Sequence, residues 1–166
     1  MDAILNRRSI RKYKDIKVSD EIVEDLLRAA MAAPSAMNQQ PWEFVVLRDK
    51  EVMKKITEVH PYSKMLLQAD AAIVVCGNQE KEIAKGFWVE DCSAAAENIL
   101  IAAQDKGLGA VWLGVYPAEE RPDQISEVLG LPKSVIPLCI IPVGYPDEEK
   151  EPADRFNKEK IHYDRW

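Results

Sequence analysis

Apolar residues in this chain of 166 residues recur at two kinds of spacing, one typical of helices and one typical of buried strands. Helical spacing predicts helices over residues 2–8, 20–33, 50–58, 88–106 and 118–129. Ser19 is placed to cap the second helix, and Pro34 is placed to end it. The helix over 88–106 is apolar around most of its circumference, so we expect it to be buried in the domain or in a subunit interface.

Short apolar runs predict strands at residues 42–47, 71–76, 110–115 and 135–143. Pro137 and Pro142 lie inside the last run, and proline cannot donate to a sheet ladder. We therefore expect that strand to lie at a sheet margin or to have edges free to bend. Helices and strands alternate without a regular βαβ rhythm, which predicts a layered α+β domain.

The length and composition predict one soluble globular domain over residues 1–166. No apolar run approaches the roughly 20 residues of a membrane-spanning helix. The N-terminus lacks the layout of a secretory signal, so we expect a cytoplasmic protein without membrane contact. A net charge of −6 disfavours nucleic acid as a general partner.

Cysteine and histidine residues show no pattern of a redox or metal site. Cys76, Cys92 and Cys139 lie in apolar runs without a CxxC pair, so we interpret them as small buried hydrophobic residues. His60 and His162 lack metal-ligand spacing, and we predict no metal site. The chain also lacks the GxSxG and phosphate-loop motifs of hydrolases and nucleoside-triphosphate enzymes.

Within this acidic chain, residues 7–14 carry five basic side chains and no acidic one. The planar guanidinium of arginine matches phosphate oxygens, and Ser9 adds a hydroxyl group. A solvated basic surface is the alternative interpretation. The charge pattern therefore indicates a phosphate-bearing ligand without naming it.

Two further segments carry groups that can contact a ligand. The loop over 33–42 contains two prolines and several polar side chains, so it can recognise a flat heterocycle or serve as an ordinary connection. The glycine-rich segment over 107–114 precedes a strand-like run rather than a helix, which does not favour a Rossmann site. Gly114 within that run indicates close approach by a ligand or by another backbone, or a sheet bulge.

Five ordered segments together resemble the nitroreductase family of flavin enzymes over essentially the whole chain. They read RRSIRKY at 7–13, APSAMNQQPWEF at 33–44, GLGAVWLG at 107–114, IIPVGYP at 140–146 and EPADRF at 151–156. The resemblance implies a nitroreductase-like α+β fold, with a mixed, mainly antiparallel sheet wrapped by helices. It also implies an intertwined homodimer with FMN at the subunit interface, and residues 145–166 packing on the partner subunit.

The resemblance further implies which residues bind FMN. The first motif contacts the phosphate and the polar edge of the ring through Arg7, Arg8, Ser9 and Arg11. In the partner subunit, the loop that covers the flavin consists of Pro34, Ser35, Ala36 and Asn38. The backbone of Trp112, Leu113 and Gly114 passes the ring, with an amide near flavin N5, and Arg155 returns to the phosphate. The family often has a lysine two residues before that arginine, where this chain has Ala153.

The implied activity is transfer of hydride from NADH or NADPH through flavin N5 to a small acceptor such as a nitroaromatic or a quinone. Because the flavin carries out the redox step, no side chain is expected to act as a catalytic residue. Three alternatives stay open: a flavin-storage protein, a ring-cleaving or dehalogenating flavin enzyme, and a phosphate-ligand binding module without flavin.

Overall fold

The computed structural model describes all residues from 1 to 166. Its helices are α1 (Asp2–Asn6), α2 (Asp20–Met31), α3 (Lys50–Val59), α4 (Trp88–Asp105) and α5 (Arg121–Leu129). Its strands are β1 (Trp42–Leu47), β2 (Ala71–Asn78), β3 (Gly109–Ala110), β4 (Leu113–Gly114) and β5 (Val135–Gly144). All five predicted helices are present, although α1 ends two residues early and α5 begins three residues late. No helix is long and apolar enough to cross a membrane.

Local side-chain chemistry explains where the helices begin and end. The Ser19 hydroxyl accepts a hydrogen bond from the Ile22 amide at 3.3 Å, which confirms the predicted cap of α2. The Asp49 carboxylate accepts from the Glu51 amide at 2.8 Å and caps α3 in the same way. Gly130 ends α5 with φ of 65°, a left-handed conformation that favours glycine.

The strands form one sheet in the order β1-β2-β5-β3, and β4 also pairs with β5. All of these pairings are antiparallel, whereas an isolated bridge between Ser9 and Ala110 is parallel. The α+β class and the mixed, mainly antiparallel sheet are therefore confirmed. The predicted continuous strand over 110–115 is wrong, because the chain breaks into β3 and β4 around Val111 and Trp112.

Of the two alternatives predicted for the last strand, a position at the sheet margin is wrong, because β5 lies between β2 on one side and β3 with β4 on the other; interrupted edges are what the structure has. Pro137 sits beside a bulge in the pairing with β2, where the register shifts between Val75 and Cys76. The register of β5 with β3 and β4 places Pro142 opposite the break between those two strands. Each proline thus occupies a place where the ladder is already interrupted.

Helices cover both faces of the sheet. Ile73 and Val75 of β2 point towards the core beneath α2 and α4, whereas Ala72 and Val74 point towards the core beneath α3 and α5. This alternation follows from the two-residue period of a strand. As predicted, α4 is largely buried, and eight of its residues are shielded from solvent.

The C-terminal segment over 151–166 is exposed along its whole length. Its aromatic side chains are included: Phe156 is 71% exposed, Tyr163 is 84% exposed and Trp166 is 100% exposed. The segment therefore buries almost nothing against its own chain, although such residues commonly pack inside proteins or interfaces.

Candidate functional site

A cavity of about 590 Å³ opens where β4 ends at the side of the sheet. Its lining includes Arg11, His60, Lys64, Trp112, Gly114 and Arg121. Three of these side chains are permanent cations, and no carboxylate lines the cavity. The arrangement favours an anionic ligand that also presents a flat or apolar surface.

Gly114 forms a part of the cavity wall that has no side chain. A Cβ atom added at Gly114 would meet no heavy atom within 4 Å. At Gly109, five residues earlier, an added Cβ would lie 2.6 Å from Cγ2 of Ile10. Glycine at 109 is therefore explained by packing within the chain, whereas the open space at Gly114 is available to a ligand.

The carbonyl oxygen of Gly114 has hydrogen-bond donors from two other elements. It lies 3.0 Å from Nε2 of His60, which follows α3, and 2.9 Å from Nη1 of Arg121, which begins α5. The Tyr62 amide donates to Nδ1 of His60 at 3.3 Å. Because Nδ1 accepts that bond, Nε2 carries the hydrogen and donates to Gly114. Burial lowers the pKa of His60, which favours this neutral ring.

The basic segment does not present a single uniform face. Arg11 lines the cavity, and Ser9 lies beside Ala110 through the parallel bridge. Arg7 is half-buried and forms an ion pair with Glu97 at 3.5 Å. Arg8 donates to the carbonyl oxygens of Leu5 at 3.2 Å and Glu151 at 2.7 Å, while its Nη2 is buried without a partner.

The loop after α2 is held by the buried carboxylate of Asp91 in α4. Asp91 accepts hydrogen bonds from the Ala36 amide at 2.8 Å and from Nε2 of Gln39 at 2.6 Å. Met37 and Asn38 have positive φ values of 50° and 54°, which are uncommon for residues other than glycine. Strained backbone of this kind persists only where the surroundings enforce it, and it occurs often at ligand sites.

The structure brings together only some of the predicted site residues. The cavity joins Arg11 with Trp112, Leu113 and Gly114. The loop with Pro34, Ser35, Ala36 and Asn38 does not line this cavity, and Arg155 lies in the exposed C-terminal segment. One chain therefore brings four of the twelve predicted residues into the cavity, whereas Pro34, Asn38 and Arg155 are exposed.

Six of the ten residues that line the cavity were not predicted from the sequence as ligand contacts, and the basic side chains among them are His60, Lys64 and Arg121. His60 was considered only as a metal ligand, and the other two look like ordinary surface charges in the sequence. No local pattern could have found them, because α3, α5 and β4 meet only through the tertiary fold.

The three cysteines are buried and unpaired, as interpreted from the sequence. Burial raises the pKa of both Cys76 and Cys92 to about 12, and burial also raises the pKa of Cys139. Their thiols therefore stay protonated and lie outside the lining of the cavity beside β4.

The chain is thus an α+β protein with a mainly antiparallel sheet between two helical layers. The cationic cavity beside β4, a short strand at the edge of the sheet, is suited to an anionic ligand. Comparison with known proteins agrees with this description and extends it. The sequence profile of the Nitroreductase family matches residues 4–60 and 57–145. This chain belongs to the nitroreductase family.

Individual relatives match over almost the full chain. A protein of Methanothermobacter thermautotrophicus, provisionally named an NADH dehydrogenase/NAD(P)H nitroreductase, is 48% identical over 166 residues, covering 100% of this chain and 87% of the relative. A structure from Clostridium acetobutylicum, provisionally named an NADH oxidase, has TM-score 0.95 and 48% identity, covering 99% of this chain and 100% of the other. An FMN-dependent nitroreductase from Clostridium difficile R20291 has TM-score 0.92 and 35% identity, with 100% of both chains covered.

Proposed function

We propose that this protein is an FMN-dependent oxidoreductase that takes hydride from NADH or NADPH and delivers it to a small acceptor such as a nitroaromatic or a quinone. The observation that carries the proposal is the cationic cavity beside β4, in a chain similar to an FMN-dependent nitroreductase and to a protein provisionally named an NAD(P)H nitroreductase.

The residues of the cavity fit FMN by charge and by shape. The FMN phosphate carries close to two negative charges. Arg11 and Lys64 supply positive charge in the cavity lining, which holds no carboxylate, while Arg121 donates to the Gly114 carbonyl. Gly114 leaves open space where a flat ring can approach the backbone. Cations for the phosphate and a bare glycine for the ring are thus found in one cavity.

The remaining cations of the first motif complete the proposed phosphate site. Arg7 is engaged only by Glu97, and an ion pair of this kind with a half-exposed partner contributes about 0–1 kcal/mol, so it can give way to phosphate. Arg8 retains one buried donor without a partner. Ser9 and Arg155 are proposed as further contacts, and Arg155 is free in the exposed segment.

We further propose that the site is completed by a second copy of the chain. Pro34 and Asn38 are exposed on the strained loop that Asp91 holds, and they do not line their own chain's cavity. The exposed aromatic residues of the C-terminal segment need a surface to cover them. A homodimer in which each loop covers the partner's flavin accounts for both features.

In this mechanism the flavin, when bound, supplies the two-electron redox chemistry. The protein binds the phosphate through arginine, presents the Gly114 backbone to the ring, and excludes water with the loop of the second subunit. No side chain is proposed as an acid, a base or a nucleophile.

The proposal is tested by purifying the protein and titrating it anaerobically with NADH and with NADPH while recording absorbance. We expect a yellow protein whose flavin bands bleach with at least one nicotinamide. A yellow protein that neither nicotinamide bleaches would support flavin storage instead. A colourless protein that does not take up added FMN would refute flavin binding altogether.

The phosphate site is tested by Arg11→Ala, with Lys12→Ala as a matched control. Lys12 is the adjacent exposed cation and does not line the cavity. A hydrogen bond between charged groups contributes about 1.5–3 kcal/mol, so Arg11→Ala is expected to weaken FMN binding by about 10- to 150-fold. Equal FMN affinity of the two variants would contradict the role of Arg11.

A further inference from the structure

The Gly114 carbonyl joins three separate elements of the fold. Its oxygen ends β4, lies 3.0 Å from Nε2 of His60 after α3, and lies 2.9 Å from Nη1 of Arg121 at the start of α5. All three residues line the same cavity. Two donors converging on one carbonyl restrict the orientation of its peptide group more than a single donor would.

The hydrogen bond from His60 has a defined direction. Nδ1 of His60 accepts from the Tyr62 amide, which leaves Nε2 as the donor towards Gly114. The histidine is 1% exposed, and its own backbone carbonyl accepts from the Ser63 hydroxyl at 2.7 Å. The ring is therefore held through both of its nitrogens, and the planar guanidinium of Arg121 supplies the second donor to the carbonyl.

The Gly114 amide belongs to the preceding peptide group, Leu113–Gly114, and the extended backbone of Gly114 relates its direction to that of the carbonyl. In a strand, the N–H and C=O groups of one residue point to the same side, and the side alternates between successive residues. The Val115 amide donates to the Leu138 carbonyl of β5 at 3.0 Å, so the polar groups of Gly114 face away from β5. The Gly114 amide thus points to the side occupied by His60, Arg121 and the cavity.

We propose that His60 and Arg121 are positioning residues that hold the extended backbone of Gly114 through its carbonyl, so that the Gly114 amide, in the preceding peptide group, donates a hydrogen bond to the flavin ring. The inference rests on the proposed function, because it assumes that FMN occupies this cavity. It adds that two side chains, one 54 residues before Gly114 and one 7 residues after it, set the direction of a backbone donor at a residue without a side chain.

A positioning role for His60 and Arg121 can be distinguished from a merely structural role by comparing the affinities for oxidised and reduced FMN. Ring nitrogen N5 of oxidised flavin accepts a hydrogen bond, whereas the same nitrogen carries a hydrogen in the reduced flavin. A well-aimed amide donor therefore favours the oxidised form. Loss of its orientation should weaken binding of oxidised FMN more than binding of reduced FMN, which general destabilisation of the fold would not do.

The test uses the full-length chain with three variants and one control. His60→Asn keeps an acceptor for the Tyr62 amide and removes the donor to Gly114. His60→Gln places a side-chain amide donor near the position of Nε2 and serves as the rescue variant. Arg121→Gln removes the second donor from a different element, because the glutamine amide is two bonds nearer the backbone than Nη1 of Arg121. Lys55→Gln is a control at an exposed cation of α3.

Dissociation constants are measured for oxidised FMN by quenching of flavin fluorescence and for reduced FMN anaerobically, together with melting temperatures. We expect His60→Asn and Arg121→Gln each to weaken oxidised FMN binding about tenfold, equivalent to about 1.4 kcal/mol, with a smaller change for reduced FMN. His60→Gln should restore most of the loss, and Lys55→Gln should behave as wild type. Nitrogen NMR of wild-type apoprotein at neutral pH should show His60 with hydrogen on Nε2.

The outcomes separate the two proposals. If wild-type protein does not bind FMN, the proposed function fails and this inference fails with it. If wild-type protein binds FMN but the variants show an unchanged ratio of affinities for the two oxidation states, only the positioning role is refuted. A His60 ring with hydrogen on Nδ1 would also overturn it. Should His60→Asn not fold, Arg121→Gln and the NMR measurement decide the question.

Discussion

Gly114→Ala is the most direct perturbation of the proposed flavin site, because it adds a single methyl group to the cavity wall. No heavy atom of the chain lies within 4 Å of the new Cβ, and Gly114 does not require a positive φ. Replacing glycine by alanine at such a position stabilises the folded state by about 0.4–1 kcal/mol, since the unfolded chain loses freedom. We therefore expect the melting temperature of the apoprotein to stay the same or rise by up to about 4 °C.

The same methyl group should weaken FMN binding, because it occupies the space proposed for the flat ring. If the cost resembles that of overpacking a filled core, it amounts to about 1–3 kcal/mol. That cost corresponds to a dissociation constant about 5- to 150-fold higher than in wild type. The measurement is a fluorescence titration of apoprotein with FMN, paired with melting curves in the absence and presence of FMN.

Gly109→Ala is the matched control, since its Cβ would lie 2.6 Å from Cγ2 of Ile10. This variant should lose about 1–3 kcal/mol of stability as apoprotein, or about 2–12 °C of melting temperature. Gly114→Ala should therefore change FMN affinity without lowering the stability of the apoprotein, whereas Gly109→Ala should lower that stability. Gly114→Ala protein with wild-type FMN affinity, or with a clearly lower apoprotein melting temperature, would refute the reasoning.

Three further predictions follow from other parts of the structure. Asp91→Ala leaves the Ala36 amide and the Gln39 side chain without an acceptor, so the free energy of unfolding should fall by about 1–3 kcal/mol. Glu90→Ala is the control and should change the melting temperature little. Equal melting temperatures of the two variants would contradict the role of Asp91 in holding the loop after α2. Burial lowers the pKa of His60 in the folded protein, so the stability that the neutral ring contributes is present above about pH 6.5 and is lost as the pH falls through the lowered folded pKa. Urea midpoints at pH 5.5 and 7.5 should differ more in wild type than in His60→Gln, and an equal difference would contradict this assignment. If the proposed homodimer forms, deletion of residues 151–166 should shift the mass measured by light scattering from dimer towards monomer, and an unchanged dimer mass would contradict the proposed packing of that segment on the second subunit.

Local sequence patterns predicted most of the elements of this fold. The helical spacing of apolar residues located α2 and α4, and Ser19 marked the start of α2 correctly. These features depend on residues within one or two turns of each other, so the sequence contains the whole physical cause. The family resemblance also came from short ordered segments and is confirmed by the comparison with known proteins.

Pairing of strands was harder to predict from the sequence. Pro137 and Pro142 predicted either a strand at the sheet margin or a strand with edges free to bend. The structure has the second arrangement, because a bulge and a break between β3 and β4 receive the two prolines of the central β5. Those interruptions depend on partner strands that are distant in the sequence. A rule that considers one strand alone cannot foresee which of its ladder positions will be unused.

The cavity beside β4 was determined in the same way by tertiary structure. The sequence by itself indicated Arg11 as a phosphate contact and Gly114 as a place of close approach. Only the packing of α3 and α5 against β4 brought His60, Lys64 and Arg121 to the same cavity and turned two of them towards the Gly114 carbonyl. Short-range periodicity sets the helices and strands, whereas the direction of a backbone donor depends on side chains that lie 54 residues before it and 7 residues after it.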